Sequence, residues 1–495
     1  MRSAAAFVAQ QGGAAPFDPT TWGGNIQAWW EGSSVATTGA LIDAAIDLTT
    51  FARDITATGA QRPTLVSPDP LTGNRPSITW PATGNVYLTY PGPVADFAFV
   101  NEEETSIVEV VQFESQTTDG NLVGTAQSAA DVGLRSDFDT SEQQVRAWIS
   151  NGGADVMTFV SGATSAPQGF LLVLVWLLRA ASADLWVNGR LAASGVPRAL
   201  VPGAPTRALR VGARAGTALN NWRGPIAATL LFTGIVDPVL TTQQCRARWA
   251  TRDTRVHPLI LAFTNSNQTA GTPVSGLPGP LQLRQADTFF QYRNDVAVDS
   301  VDWTRVAPVG AFYGSEITCV GDLVANGHSP AFLKGERNGS SVGIDSIPAN
   351  SWVPGFALWD DRIAWINGAL ARFAQLGWIH SIAGAFVDLG HRDAQDAGLA
   401  GNFGTNFSSL IANIRSEFGN IPIWFNRLSA SANGPAVNLP FGPLVYAAQS
   451  GSFGPGVTML DTDGYTCVPV FPFHFDPASI QQNGLDLSAL VQLVI

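Results

Sequence analysis

The chain has 495 residues, 45% of them hydrophobic and only 13% charged, with 50 glycines, 31 prolines and a net charge of −12. That length exceeds what one core organises and predicts two or three domains, and the apolar content excludes a disordered chain. The acidic balance argues against a nucleic-acid or anionic-membrane partner, and the longest apolar run, residues 170–178, is about half a membrane span.

Residues 1–16 are small and polar and read as an arm, with an apolar core too short for a signal peptide. From Phe17 to Arg252 the pattern is nearly all β. Strands are predicted at Ile26–Trp30, Ser77–Trp80, Val86–Tyr90, Ser106–Phe113, Val145–Ile149, Phe170–Leu178, Asp184–Val187 and Ile226–Phe232. Turn signals at Thr83-Gly84-Asn85, Asn151-Gly152-Gly153 and Asn188-Gly189 separate them. Many short strands so punctuated imply an all-β jelly-roll sandwich, with Pro238–Ala250 as its one helical stretch.

After residue 257 the period changes. Leu259–Phe263 is an apolar strand that runs into Thr264-Asn265-Ser266-Asn267, and a long polar excursion follows through Asp302. A helix is predicted from near Leu358 to Gln375, a strand at Ile382–Val387, a helix at Phe403–Phe418 and a strand at Ile421–Phe425. Val457–Leu460 is expected to be the last strand. Strands alternating with helices imply a mainly parallel sheet, whose carboxyl edge gathers ligands. Ser266 at that edge has two readings. It caps the next helix, or it is a nucleophile beside helix N–H groups that receive an oxyanion.

Cys245, Cys319 and Cys467 form no CxxC pair and read as reduced, buried thiols with no metal set. Lys334 is the sole lysine and, among so many arginines, reads as a compositional bias. His257, His328 and His380 read as structural. His391 has a second reading at the site edge, in binding or proton transfer.

Two resemblances refine this. The pair Trp29-Trp30, Gln61-Arg62-Pro63-Thr64, Arg75-Pro76-Ser77-Ile78, LLVLVWLL, ADLWVNGRL, LRVGAR and WRGPIAATLLF resemble the concanavalin A-like (laminin-G-like) lectin and glucanase fold. This implies glycan or protein recognition over residues 17–252, sometimes with calcium, though no compact acidic cluster demands that ion. Its tryptophans serve either as core or as sugar platforms, core being the commoner use.

Residues 257–495 resemble the SGNH hydrolases, in the sialate O-acetylesterase and acetylxylan esterase branch, with a flavodoxin-like parallel sheet implied. The resemblance rests on Thr264-Asn265-Ser266-Asn267, Gly314 in FYGSEI, Lys334-Gly335 with Asn338-Gly339-Ser340-Ser341, and Leu389-Gly390-His391-Arg392-Asp393-Ala394. Ala448-Gln449, Asp461–Gly464 and His474-Phe475-Asp476 complete it. By resemblance Ser266 is the nucleophile and His474 its base. The N–H groups of Ser266 and Gly314, helped by Asn338 or Gly339, form the oxyanion hole, and His391 and Gln449 lie at the site edge. No metal or other cofactor is implied.

Three positions depart from the branch: Leu389 and His391 stand where it has glutamine and glutamate, and Phe471 stands where an acid precedes the histidine. A lost oxyanion donor costs about 10²–10³ in rate and a lost orienting acid about 10⁴.

The functional expectation is host-polysaccharide recognition by a spike or fibre of a phage or gene-transfer-agent particle, with carbohydrate O-acetylesterase activity. The expected partners are capsule or lipopolysaccharide, other virion proteins through the arm, and further copies of the chain. The alternatives are a carbohydrate esterase with no virion role and a catalytically dead binding protein.

Overall fold

The structure is a computed structural model that describes residues 17–69, 75–81, 86–112, 120–139, 144–160, 170–215, 222–249, 256–264, 289–293, 303, 314–376, 378–432, 434–468 and 471–495. Contacts divide the chain into two units. One is Met1–Thr254 with Gln375–Gly377, and the other is Arg255–Ala374 with Trp378–Ile495.

The first unit is a large antiparallel sandwich. One ladder runs Asn25–Glu31, Gly224–Thr233, Thr105–Gln112, Leu171–Leu178, Ser182–Val187, Arg190–Pro197. A second runs Asp155–Val160, Gln144–Asn151, Val132–Asp139, Gly120–Gly124, Arg210–Val211, Leu88–Thr89. Strand Arg75–Trp80 pairs with Gly224–Thr233 and helps to join them.

The predicted run at 170–178 becomes a strand buried on both faces. Val108, Val110, Val173, Val175 and Leu230 pack with Trp22, Cys245 and Trp249, so helix Pro238–Trp249 covers that side. The opposite side carries Ile107, Glu109 and Trp176, all of them buried. The Asn188-Gly189 signal is a two-residue turn with φ of 48° and 77°, joining Val187 to Arg190 as a type I′ hairpin does.

Several short or polar strands of this unit were not among those predicted, including Val35–Thr38, Thr64–Asp69 and Arg190–Pro197. The last of these is largely exposed and has little apolar alternation to find. Predicted strand Val86–Tyr90 shortens to Leu88–Thr89, and Thr83-Gly84-Asn85 lies outside the described residues. Pro238–Trp249 is not the only helix, because a single turn forms at Phe99–Glu102.

The second unit is an α/β layer around a six-stranded, all-parallel sheet. The order is Phe289–Arg293, Ala331–Glu336, Val256–Thr264, Ile379–Asp388, Ile423–Asn426, Val457–Leu460. Phe289–Arg293 corrects the expectation of an unbroken polar excursion. Its Phe289 and Phe290 are buried, but the run is too short to stand out from the polar sequence around it. Without this edge strand the order is the flavodoxin-like one.

Val457–Leu460 is the last strand of that sheet but not of the chain, since Cys467–Val468 and Phe471–Phe475 form an antiparallel ribbon beyond it. The C-terminal helix Pro477–Gln492 packs on helix Ser315–Ala325, placing Ile480, Leu487 and Val491 in one core with Ile317, Val320 and Leu323.

That contact is tight at Gly484. A β-carbon there would overlap the Ser315 carbonyl oxygen and lie 2.8 Å from Thr318 Cβ and 2.9 Å from Cys319 N. Gly484→Ala should therefore destabilise the fold. Overpacking costs about 1–3 kcal/mol, against about 1 kcal/mol of helix propensity recovered; with three atoms under 3 Å the upper part of that range applies, and a net loss approaching about 2 kcal/mol is expected by urea unfolding. An unchanged midpoint would mean that the helices can move apart freely.

Candidate active site

In the second unit the first strand in sequence, Val256–Thr264, has later strands on both sides. Two lie toward Ala331–Glu336 and three toward Ile379–Asp388. That makes its carboxyl end the switch point where an open α/β sheet forms a crevice. Thr264 is level with Glu336 and with Asp388, so three strands end together. Ser266 follows two residues later in sequence and lies outside the described residues.

The turn after Glu336 is tied to this point, since Arg337 N donates to Thr264 O at 3.0 Å. Asn338 is exposed there, and Gly339 has φ +68° with open space where a β-carbon would be. Below the turn, Ser340 Oγ accepts from Trp352 Nε1 at 2.9 Å and anchors the loop in the core.

Gly314 caps helix Ser315–Ala325 in extended backbone, with no side-chain cap. The Glu316 carboxylate folds back over it and would collide with a β-carbon at Gly314. Lys334 Nζ holds that carboxylate at 3.2 Å and the Glu336 carboxylate at 3.2 Å, all three side chains being buried. Burial pulls the Lys334 ammonium down, but Glu316 and Glu336 outweigh it and raise its pKa above the ordinary value. The sole lysine is thus no compositional accident. It joins the helix start at Gly314 to the strand that leads into the Asn338–Gly339 turn.

The block after Asp388 is built for structure. Leu389 is buried, Gly390 takes φ +120° and His391 is half-buried. Arg392 Nε binds Asp345 at 2.7 Å and pulls that carboxyl down to about 2. Asp393 is fully buried and accepts from Val342 N at 3.2 Å, with burial pushing its carboxyl up to about 6.

Gln449 accepts from Leu428 N at 2.8 Å and donates to Leu389 O at 3.2 Å and Asn426 O at 3.3 Å. Its amide clamps the strand ends. Asn483 Nδ2 donates to Asn426 Oδ1 at 2.8 Å and extends the network to the C-terminal helix.

The backbone of His474 lies in ribbon strand Phe471–Phe475, and its side chain is outside what the structure describes, as is that of Phe471. The ribbon's surroundings are fixed to the carboxyl edge. Thr462 Oγ1 donates to Arg427 O at 2.6 Å, Asp476 N to Thr466 O at 2.9 Å, and Asp476 caps the final helix through Ser479 N at 2.8 Å.

The structure therefore gathers Gly314, Asn338, Gly339 and Gln449 around the carboxyl edge. Sequence reasoning missed Glu316, Glu336 and Asp393, although FYGSEI and the lone lysine were the available signals. His257 is buried against Ser329 O at 2.8 Å. Burial lowers the pKa of His380, which lies in strand Ile379–Asp388. All three cysteines are buried and free. Among the described residues no group of three His, Cys, Asp or Glu could hold a metal, and no helix is long and apolar enough to cross a membrane.

No family model matches the chain. No curated protein sequence matches it either. Solved structures do align. A protein from Arabidopsis thaliana is 16% identical over 48% of this chain and 100% of its own, with TM-score 0.38. NanS is 12% identical over 49% and 98%, with TM-score 0.38. A carbohydrate acetylesterase from Xanthomonas citri is 15% identical over 66% and 71%, with TM-score 0.36. At TM-scores under 0.5 these likenesses carry no argument about activity.

Proposed function

We propose that the chain hydrolyses O-acyl esters, acetyl esters first, on a polysaccharide, by the SGNH type of serine chemistry. The observation that supports this is the meeting of three strand ends at the switch point. The strand leading to Ser266 ends there, bonded to the Arg337–Gly339 turn, and the Gly314 helix start is tethered to the neighbouring strand through Lys334. In this reading the Ser266 hydroxyl attacks the acyl carbon while His474 takes its proton. N–H groups at Gly314 and the Asn338–Gly339 turn receive the oxyanion. His474 returns the proton to the leaving sugar hydroxyl, and water then releases acetate from the acyl-serine.

Ser266→Ala should lower acetate release from acetylated xylan and from p-nitrophenyl acetate at least about 10³-fold. His474→Ala should do nearly the same, because residues that act as a unit are not additive. Leu389→Gln tests the lost donor and should raise kcat. Wild type no faster than Ser266→Ala would end the esterase reading.

The proposal extends to a particle-borne setting: a multi-copy spike or fibre of a phage or phage-like particle, with host-surface polysaccharide as its partner. Its support is an all-β unit joined to an α/β unit in one acidic chain. Recovery of the chain from lysates but never from purified particles would refute this part alone.

A further inference from the structure

The face of the second ladder opposite Leu134, Ala147 and Ile149 carries a row of charged and aromatic side chains, most of them partly buried. Arg135 pairs across the strands with Trp148, and Asp137 with Arg146, while their alternate neighbours Leu134, Ala147 and Ile149 point into the core. Trp148 is half-buried, with Arg135 Cζ 5.0 Å and Arg146 Cζ 5.1 Å from its ring. Each guanidinium is fixed by a carboxylate, Arg135 by Asp155 at 2.6 Å and Arg146 by the buried Asp137 at 2.9 Å.

The register continues the row. Arg135 is level with Gly124, and Gly124 with Arg210, whose guanidinium stacks 4.0 Å from the Tyr87 ring. Gly124 has no side chain, so the row has a floor between two cation–aromatic pairs. Trp148 to Arg210 spans three strand spacings, about 14 Å.

We infer that this face binds a carboxylate-bearing polysaccharide, with sugar rings over Trp148 and Tyr87 and sugar carboxylates met by Arg135, Arg146 and Arg210. Aromatic faces suit the apolar faces of pyranose rings, and pinned guanidinium groups suit planar carboxylates without losing much side-chain freedom on binding. Among the side chains named here three arginines outnumber two aspartates, on a chain of net charge −12, which favours an acidic ligand over a neutral one. The inference names the ligand class within the glycan reading above and is independent of hydrolysis.

Affinity electrophoresis of the full chain in gels holding polygalacturonate, alginate, hyaluronan or polysialic acid, with dextran and duplex DNA as controls, tests it. Retardation by at least one acidic polysaccharide is expected, weakening as salt rises. Trp148→Ala and Arg210→Gln should each weaken it about tenfold or more with unchanged thermal midpoints. If Trp148→Ala does not fold, Trp148→Phe carries the same test by keeping an aromatic face and part of the affinity, and Arg210→Gln leaves both ion pairs in place. No retardation by any acidic polysaccharide, equal retardation by dextran or DNA, or unchanged affinity in the folded variants overturns the inference. The outcome is separate from acetate release, since Ser266→Ala should bind as wild type does.

Discussion

Lys334→Met should destabilise the second unit by about 3–5 kcal/mol, because removing one partner of a buried ion cluster leaves its other charges uncompensated. Here two are left: Glu316 and Glu336, each 3.2 Å from the ammonium and each buried. An exposed pair would be worth under about 1 kcal/mol, so burial decides the size of the effect. The two carboxylates would be left buried without their counter-ion. Replacing the whole set, with Glu316→Gln and Glu336→Gln added, should restore most of the loss, since apolar or neutral substitutes for buried ions are often tolerated. Urea unfolding of the three proteins would show this. A cost below about 1 kcal/mol for Lys334→Met would mean that the cluster is hydrated and contributes little.

Glu109→Gln should stabilise the sandwich at alkaline pH. Glu109 is buried between Leu174 and Thr229, and burial pushes its carboxyl up to about 8, opposed only by the Trp176 Nε1 donor at 3.2 Å. The ordinary value is 4.5. Below pH 4.5 the folded and unfolded chains are both protonated here and its contribution is whole. From there to about pH 8 only the folded chain keeps the proton, and stability falls by about 1.4 kcal/mol per pH unit. The loss is complete above that, on the order of 5 kcal/mol. Glutamine never ionises, yet its amide N–H groups need partners, at about 1–3 kcal/mol if they find none. A net gain of about 2–4 kcal/mol at pH 9 and none at pH 5 is the expected pattern in denaturant titrations. Parallel pH profiles for the two proteins would show that Glu109 reaches water.

Much of the architecture was legible because it is local. The eight-residue apolar run at Leu171–Leu178, the Asn188-Gly189 turn and the amphipathic helix Phe403–Phe418 each carry their signal within one stretch of chain. Strand Val256–Thr264 was legible for the same reason, although its polar flank at residue 266 lies beyond the described structure. Of the proposed site, Gly314 and the Asn338–Gly339 turn were singled out through resemblance alone. Gln449 was singled out in the same way as a site-edge group, and its amide is committed to three backbone partners.

What only the tertiary structure decided are the interactions between distant residues. Glu316 is 18 residues from Lys334, Asn426 is 57 from Asn483, and Trp148 meets Arg135 only through cross-strand register. Sequence determines which segments prefer strand or helix, since φ/ψ preference and hydrophobic period are properties of neighbours in the chain. It does not by itself reveal which charge is buried beside which, because the energy of a charge depends on the dielectric and the partners that folding supplies. For that reason the lone lysine read as composition, and its role emerged only once folding had packed helix Ser315–Ala325 against its strand and buried Glu316 and Glu336 beside it.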